Sequence, residues 1–463
     1  MSIIIPANSA VGGGFDVANS VRFNSGSSDY LSRTPGSAGN QKKFTLSTWI
    51  KRSRVGGGSG PEEFLFFGSP GSDTDTRLYF TGDGNSADDR LYFSSATSNS
   101  THTILQTNRK FRDTSSWYNI VISVNTQDGS GSTSTIQMFI NGVKETDFAS
   151  SAYGSQNSLF YWTDNAANAI GRRNDSGNLY YSGYMAETVL VDGQALDATS
   201  FGEVDSDSGI WKPKNVSGLS LGTTGYYLDF KDSSALGNDA SGSNNFTVNN
   251  LTAIDQSTDT CTNNFSTYNP LIVTQSINST PLFSDGNLKA TFNNNSYSLF
   301  ALSTFAVSSG KWFAEFKMTN ISGGSDTYVG VIETEANFSA DSSPIDSGTS
   351  YRGTGQRVIS GSSASYGATY STGDIIGVAL NCDDNEVVFY KNGASQGAVS
   401  ITADKTYFMW TSDYSSKVIE ANFGSPSYAI SSGNTDGDGY GNFEYAVPSG
   451  YFALNTKNLA EYG

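Results

Sequence analysis

The stretch from Gly373 to Gly397, GDIIGVALNCDDNEVVFYKNGASQG, constrains the fold more than any other part of this 463-residue chain. Apolar residues alternate with residues of the opposite face on both sides of a polar turn at 383–385. A period of two is typical of β-strands. Asn392-Gly393 then marks a tight hairpin, because a type I′ turn needs positive φ at both central residues. The stretch therefore predicts three antiparallel strands in a meander, with no room for a helix.

An earlier stretch shows the same order of signals. Residues 117–124, WYNIVISV, are predicted to form a strand, and residues 136–140, IQMFI, run into Asn141-Gly142. Two hairpins that end in Asn-Gly predict two related β-modules. The composition agrees, because 15% charged residues, 13% aromatic residues and 50 glycines favour an all-β protein with many turns over a helical one. The 28 Phe, 25 Tyr and 6 Trp also argue against disorder.

The formal net charge of −17 sets expectations about partners. An acidic surface repels nucleic-acid phosphates and anionic membranes, so we expect no nucleic-acid partner and no membrane partner. Since no stretch approaches the ~20 apolar residues of a membrane span, we also expect no membrane insertion. The first residues lack the positive charge of a secretion signal. We therefore expect Cys261 and Cys382 to be reduced thiols.

The patterns divide the chain into five predicted parts. These are an N-terminal arm (1–16), a first module (17–205), a structured connection (206–280), a second module (281–450) and a C-terminal tail (451–463). The arm joins an apolar isoleucine triplet to a flexible glycine triplet, and such an arm can pair with the sheet edge of another subunit. In the first module, strand starts about 10 residues apart fit a two-sheet sandwich.

The order of motifs in the first module resembles the laminin-G-like, concanavalin A-like jelly roll. The matching pieces are SVRFNSGSSDYL, FTLSTWIKRS, SSWYNIVISV, MFINGVKET and AIGRRNDSGNLYYSGYMAETVLVDGQAL. The second module resembles the SPRY domain, another concanavalin A-like sandwich, through GKWFAEFKM, TYVGVI, the meander and ANFG. The resemblance implies an all-β fold class with two concanavalin A-like antiparallel β-sandwiches (jelly rolls) in tandem.

The connection and the C-terminal end resemble structural proteins of tailed bacteriophages, especially marine ones. The pieces that carry this resemblance are WKPK, GYYLDF, ALGNDASGSNNFTVNN, TNNFSTYNPL and VPSGYFAL. It implies a virion protein assembled in the host cytoplasm, with other virion proteins as partners and a homo-oligomeric state. It also implies an exposed fibre or adhesin that binds host surface glycan or another virion protein. The alternative is a head decoration or connector protein whose contacts are purely structural.

We expect no enzymatic activity and no cofactor other than calcium. One histidine, His102, and two distant cysteines cannot supply a zinc site. Glucanases of this fold place carboxylates on one strand in the pattern Glu-x-Asp-x-x-Glu, so that alternation points them into one cleft. The nearest approach, Glu203-Val-Asp205, ends in Ser208. A glycan-active hydrolase is therefore the least favoured alternative.

Aromatic residues in loops are the candidates for glycan binding. Sugars stack their apolar faces on rings, while amides, carboxylates and guanidinium groups bond the hydroxyls. The competing interpretation is that each of these rings fills a core. The candidate residues are Tyr161, Trp162, Asp164, Arg173, Asn174 and Tyr181 in the first module, and Trp410 and Tyr414 in the second.

Acidic loops provide weaker candidates for calcium, which prefers oxygen ligands from loops. The competing interpretation is that these carboxylates are simply solvated. The candidate ligands are Asp73, Asp75, Asp88 and Asp89.

Overall fold

A computed structural model of the chain shows that the stretches with a period of two form β-strands. These strands build two separate sets of sheets, in which the pairing is almost entirely antiparallel. The structure describes residues 14–55, 62–71, 73–82, 89–129, 135–174, 179–272, 280–294, 298–321, 326–336, 348–413 and 415–463. Two compact units meet in the sequence between Thr262 and Asn263. We call residues 14–262 the N-terminal unit and residues 263–463 the C-terminal unit. Residues 1–13 of the predicted arm lie outside the described residues.

The N-terminal unit is built from short strands and two 3₁₀ turns, at Ala198–Ser200 and Ala253–Asp255. Its described strands are β1 (Ser20–Phe23), β2 (Tyr30–Arg33), β3 (Lys43–Arg52), β4 (Glu63–Gly71), β5 (Thr74–Phe80), β6 (Arg90–Thr97), β7 (Ser100–Lys110), β8 (Trp117–Asn125), β9 (Ile136–Ile140), β10 (Val143–Lys144), β11 (Phe148–Ala152), β12 (Ala167–Ile170), β13 (Gly183–Asp192), β14 (Gly202–Val204), β15 (Trp211–Pro213), β16 (Tyr226–Leu228), β17 (Thr247–Asn249) and β18 (Gln256–Ser257).

Two sheets of this unit face each other across one core. Sheet A has the order β10-β9-β8-β3-β13-β1-β18, with β16 beside β13, and sheet B has the order β11-β7-β6-β5-β4-β12-β2-β17. Strands β14 and β15 form a separate hairpin. Leu46 and Ile122 of sheet A share a buried cluster with Leu78, Phe93 and Leu105 of sheet B. Alternate residues of each strand therefore face either this core or the outside of the sandwich.

Residues that follow β13 cover the outer face of sheet A. Phe201 and Tyr227 pack against Val189 of that face. Farther along, the Asp259 carboxylate pairs with the Lys51 ammonium at 2.7 Å, and both side chains are 1% exposed. The described part of the predicted connection (206–280) is thus divided, since residues 206–262 belong to the N-terminal unit and residues from 263 onward to the C-terminal unit.

The beginning and the end of the N-terminal unit lie side by side. Strand β1 pairs with β18, with Ser20 opposite Ser257. The backbone N–H of Val17 donates to Thr262 Oγ1 at 3.0 Å. These bonds close the unit on itself at the point where the chain leaves it.

The C-terminal unit contains the remaining strands and one short helix, α1 (Thr456–Tyr462). Its described strands are β19 (Leu282–Ser284), β20 (Lys289–Phe292), β21 (Leu299–Val307), β22 (Lys311–Asn320), β23 (Tyr328–Glu333), β24 (Gly348–Arg352), β25 (Gln356–Ile359), β26 (Ser362–Ser365), β27 (Ile375–Asn381), β28 (Glu386–Lys391), β29 (Ala394–Ser400), β30 (Tyr407–Asp413), β31 (Lys417–Asn422) and β32 (Phe452–Ala453).

These strands form a second sandwich. Sheet C has the order β19-β20-β31-β22-β27-β28-β29, with β32 beside β22, and sheet D has the order β21-β30-β23-β24-β25-β26. Phe316, Val378 and Phe389 of sheet C meet Val331 and Met409 of sheet D in one buried cluster. The predicted all-β architecture of two sandwiches in tandem is confirmed. Residues 451–463, predicted to be a tail, contain β32 and α1.

Both Asn-Gly hairpins form as predicted. Asn141 and Gly142 have φ of 49° and 78°, and Asn392 and Gly393 have φ of 48° and 77°. The turn asparagine acts identically in each hairpin, because Asn141 Oδ1 accepts the N–H of Asn119 at 2.7 Å. Likewise, the side chain of the second asparagine accepts an N–H from the first residue of β27 at 2.8 Å. The predicted meander is β27-β28-β29.

Among the described residues, no helix has the length and apolar character needed to cross a lipid bilayer.

Candidate functional site

Trp162, a predicted sugar-stacking residue, lies in the core of the N-terminal unit. Its side chain is 5% exposed. The indole ring lies 5.4 to 6.0 Å, between centroids, from the rings of Phe44, Phe66 and Phe93. Its Nε1–H donates to the backbone oxygen of Thr76 at 3.1 Å. The prediction of a stacking role is therefore wrong, because no face of this ring is open to a sugar.

Its predicted neighbours in the same segment are also buried. Tyr161 is 4% exposed and Asp164 is 8% exposed. The Tyr161 hydroxyl forms a hydrogen bond with the Thr97 hydroxyl at 2.7 Å. Asp164 Oδ1 accepts the N–H of Asn165 at 2.8 Å. These groups hold the segment against the sandwich, so the predicted surface patch at 161–164 is wrong.

Two further predicted rings are fully buried. Tyr181 is 0% exposed, and its hydroxyl donates to the backbone oxygen of Lys51 at 3.0 Å. Trp410 is 0% exposed in a cluster with Leu302 and Tyr328. Neither ring can stack on a ligand in this structure, so both predictions are wrong. Tyr414 lies outside the described residues.

The calcium candidates are largely engaged with arginines. Asp75 pairs with Arg77, and Asp89 pairs with Arg52 at 2.9 Å and with Arg112 at 2.8 Å. Guanidinium groups already neutralise these two carboxylates, which disfavours them as calcium ligands, and the calcium site stays a prediction. Asp73 is exposed, and Asp88 lies outside the described residues. In the described ranges, no group of three His, Cys, Asp or Glu side chains is placed to hold a metal.

A different set of aromatic side chains lies together on the outer face of sheet B. Strand β5 points Tyr79 outward, because Leu78 and Phe80 on either side are buried in the core. The strand register puts Tyr79 opposite Phe64 of β4 and Tyr92 of β6. Ring centroids are 4.6 Å apart for Phe64 and Tyr79, and 5.0 Å apart for Tyr79 and Tyr92. Tyr92 closes this row and is partly exposed.

Arginines are interleaved with these rings. Arg77 lies beside Tyr79 on β5 and pairs with Asp75. The Arg173 guanidinium lies 5.6 Å from the Phe64 ring centroid and 6.0 Å from that of Phe67. Arg173 is thus one predicted residue that the structure does bring to this set, and Asn174 follows it as a half-buried residue.

A second arginine, Arg172, lies between two tyrosine rings at the β12 end of the same face. Its guanidinium carbon is 4.7 Å from the centroid of Tyr30 and 5.3 Å from that of Tyr180. We call the whole set the aromatic face. The aromatic face consists of Tyr30, Phe64, Phe67, Arg77, Tyr79, Tyr92, Arg172, Arg173 and Tyr180.

The hydroxyls of Tyr79 and Tyr92 remain proton donors. Burial raises the pKa of Tyr79, although the nearby Arg77 and Arg173 act in the opposite direction. Burial likewise raises the pKa of Tyr92, against the effect of Arg77. Both hydroxyls therefore stay protonated at neutral pH. Phe64 and Phe67 are 0% exposed and Tyr79 is 8% exposed, so these rings support the face from beneath. The partly exposed side chains of Tyr30, Tyr92 and the arginines combine ring surface with hydrogen-bond donors, which is the chemistry that a sugar ring and its substituents require.

The sequence contained a signal for this face that loop-based reasoning missed. Residues 77–80 and 90–93 both read Arg-Leu-Tyr-Phe. In each repeat Leu and Phe enter the core, so the period of two places Tyr79 and Tyr92 on the outer face. The register that makes these two tyrosines direct neighbours depends on pairing of β5 with β6.

Comparison with protein families places both sandwiches. Residues 25–200 match the model of the concanavalin A-like lectin/glucanases superfamily, in its laminin G form. Residues 311–425 match the model of the SPRY domain. No curated protein sequence matches the chain.

Similar solved structures come from several sources. The SPRY domain of human HERC1 is 19% identical, with a TM-score of 0.26 over 29% of this chain and 87% of that chain. A Bacteroides ovatus protein described as carbohydrate binding is 15% identical, with a TM-score of 0.34 over 51% of this chain and 59% of that chain. Domain 4 of AbnA, a GH43 extracellular arabinanase from Geobacillus stearothermophilus in complex with arabinotriose, is 18% identical, with a TM-score of 0.28 over 42% of this chain and 82% of that chain.

The two family matches fall on the two sandwiches that the structure builds, in the same order along the sequence. This chain therefore carries a laminin-G-like, concanavalin A-like lectin domain followed by a SPRY domain.

Proposed function

We propose that this chain is a non-enzymatic glycan-binding protein of a tailed bacteriophage particle. It is an exposed fibre or adhesin that holds host surface glycan on the aromatic face. The observation that carries the proposal is the row of Phe64, Tyr79 and Tyr92, flanked by arginines, on a sheet of a lectin-family domain.

The way the N-terminal unit covers its sheets supports this choice of surface. Side chains from the residues after β13, among them Phe201, Val216 and Cys261, pack on the outer face of sheet A. On sheet B, the outer face keeps Tyr92 partly exposed, next to Tyr79. A ligand in solution can therefore reach the ring and hydroxyl of Tyr92.

A binding role fits the chemistry of this face better than hydrolysis. A glycosidase needs two carboxylates that flank the bond to be broken. Near the aromatic row, the Asp75 carboxylate is paired with Arg77, and the charge of Glu62 acts on Tyr79 and Tyr92. Because Asp75 is engaged by the guanidinium group, the described part of this face does not present a pair of carboxylates that are both available to flank a bond.

The place on a phage particle, the homo-oligomeric state and the virion partners rest on the sequence resemblance of the connection and the C-terminal end. Gold labelling of purified particles with an antibody against this chain tests the assignment. Label at the tail or on fibres supports the adhesin. Uniform label over the capsid, combined with no glycan binding, would favour the decoration protein instead.

Glycan binding itself is tested with the purified full chain on a glycan array. We expect specific binding, and we expect Tyr92→Ala to weaken it by roughly five- to hundredfold, if stacking on tyrosine contributes as base stacking does. Tyr445→Ala, at a half-buried tyrosine of the C-terminal unit, is the matched control and should bind as the wild type does. An array without hits, from a folded protein, would refute glycan binding.

A further inference from the structure

Arg172 is the feature of the aromatic face that simple sugar stacking leaves unexplained. Its guanidinium lies between the rings of Tyr30 and Tyr180, whose centroids are 6.2 Å apart. The Nε atom is buried and has no hydrogen-bond partner. Within the described residues, no carboxylate lies at ion-pair distance from this arginine.

Two other arginines of the N-terminal unit are paired with carboxylates. Arg52 binds both Glu63 and Asp89, and Arg77 on the same sheet face binds Asp75. This unit therefore pairs an arginine with a carboxylate where such an ion pair stabilises the fold. A guanidinium that has no carboxylate partner among the described residues, and that two rings hold in place, is preorganised to receive an oxyanion from outside, because its planar donors match a carboxylate or a sulfate.

We propose that the aromatic face selects acidic glycans and that Arg172 binds their carboxylate or sulfate group. This inference rests on the proposed glycan binding and names the ligand class. The partly exposed rings of Tyr30 and Tyr92 contact the sugar body, while the Arg172 fork donates two parallel hydrogen bonds to the anionic substituent.

The net charge of −17 does not oppose such a ligand at close range. Charges farther away than the Debye length, about 8 Å at physiological ionic strength, are largely screened. What a bound substituent meets is the local surface, and there Arg172 and Arg173 are adjacent in sequence and face rings of the same sheet. The acidic remainder of the surface disfavours adsorption of acidic polymers anywhere else, so binding is confined to this site.

Affinity electrophoresis of the full chain tests the inference with two matched pairs of polymers. Polygalacturonate and its methyl ester differ in the carboxylate, and dextran sulfate and dextran differ in the sulfate. We expect retardation by at least one acidic polymer, and about tenfold or more weaker retardation by its neutral counterpart. The pair of polymers whose members differ in retardation shows whether Arg172 binds a carboxylate or a sulfate.

Variants then test whether Arg172 causes the preference for the acidic polymer. Arg172→Gln should abolish the preference for the acidic polymer while leaving binding of the neutral one within twofold, and Arg172→Lys should restore part of it. Arg357→Gln, in the C-terminal unit, makes the same change of charge and should behave as the wild type. Circular dichroism and thermal unfolding confirm that each variant is folded.

The outcomes separate this inference from the proposed function. If the glycan array shows binding and the acidic and neutral polymers are bound equally, glycan binding stands and the acidic preference is refuted. The same holds if folded Arg172→Gln keeps the full preference. If neither the array nor any polymer shows binding, both proposals fail.

Discussion

Trp162 and Tyr92 are both aromatic residues next to hydrophilic stretches, yet one lies in the core and the other on an outer face. Tyr92 sits in a strand, where the neighbours Leu91 and Phe93 determine its direction through the period of two. Trp162 lies in a segment between β11 and β12 that forms no strand, so no periodicity shows which way its ring points. The direction of an aromatic ring is thus predictable where a regular strand orients it. It is unpredictable where only tertiary packing orients it.

Truncation of Trp162 should affect stability first. Removing a buried indole leaves a cavity among Phe44, Phe66 and Phe93, and such substitutions cost about 3–5 kcal/mol. Thermal unfolding of Trp162→Ala should therefore show a markedly lower Tm for the N-terminal unit. Trp162→Phe, which keeps part of the volume, should lose much less. Tyr92→Ala, at a partly exposed ring, should leave the Tm nearly unchanged. A Trp162→Ala protein with wild-type Tm would show that the ring does not fill the core.

At the scale of elements, the Asn-Gly hairpins were predictable because their determinants are local. Four consecutive residues fix the turn, and positive φ at Asn392 and Gly393 is the conformation these residue types tolerate best. The pairing of β16 with β13 has no such local signature. Thr188 and Leu228 are partners in that pairing although a long, glycine-rich segment separates them in the sequence.

Glu187 anchors β16 to β13. It lies at the β-bulge of β13, with φ of 46°, and its Oε2 accepts the Tyr227 hydroxyl at 2.7 Å. Burial is the largest cause that raises the pKa of Glu187 from 4.5 to about 7. In the unfolded chain the carboxyl is solvated and titrates near 4.5. Between pH 4.5 and 7 the folded state therefore binds more protons, and the free energy of unfolding decreases as the pH rises.

Glu187→Gln should remove this pH dependence. Gln keeps an acceptor for the Tyr227 hydroxyl but does not titrate. The free energy of unfolding that the wild type loses between pH 5 and pH 8 should therefore be smaller in the variant, by up to about 3 kcal/mol. Thermal unfolding of both proteins at the two pH values measures the difference. Parallel pH profiles for wild type and Glu187→Gln would contradict the assignment of this carboxyl.

At the scale of the whole molecule, the sequence placed both sandwiches correctly but not what covers the first one. Alternating apolar residues and turn residues predict the strands of each sandwich, as in the meander. The cover of sheet A depends on contacts between distant residues, such as the Lys51–Asp259 ion pair. Polar, turn-rich residues 206–262 show little alternation, so their attachment to the N-terminal unit appears only in three dimensions.

Fragments test how far the N-terminal unit extends. A fragment of residues 14–262 should be soluble and unfold cooperatively. A fragment of residues 14–205 should aggregate or unfold at a much lower temperature, because it exposes Val189 and leaves buried Lys51 without Asp259. Removing one partner of a buried pair costs about 3–5 kcal/mol. Soluble yield, circular dichroism and thermal unfolding distinguish the two cases. Equal stability of both fragments would show that residues 206–262 are dispensable.

The hydrogen bond between Val17 and Thr262 bears on how recombination can transfer this unit into another protein. A domain whose first and last residues touch needs only one opening in a host chain, so it can be inserted into a surface loop without stretching that loop. The C-terminal unit is closed in the same way, since Phe265 bridges to Asn455 and the N–H of Ser266 donates to the oxygen of Leu454 at 3.0 Å. The two ends of each unit therefore lie together, which is the arrangement that allows a domain to be exchanged by recombination as one piece.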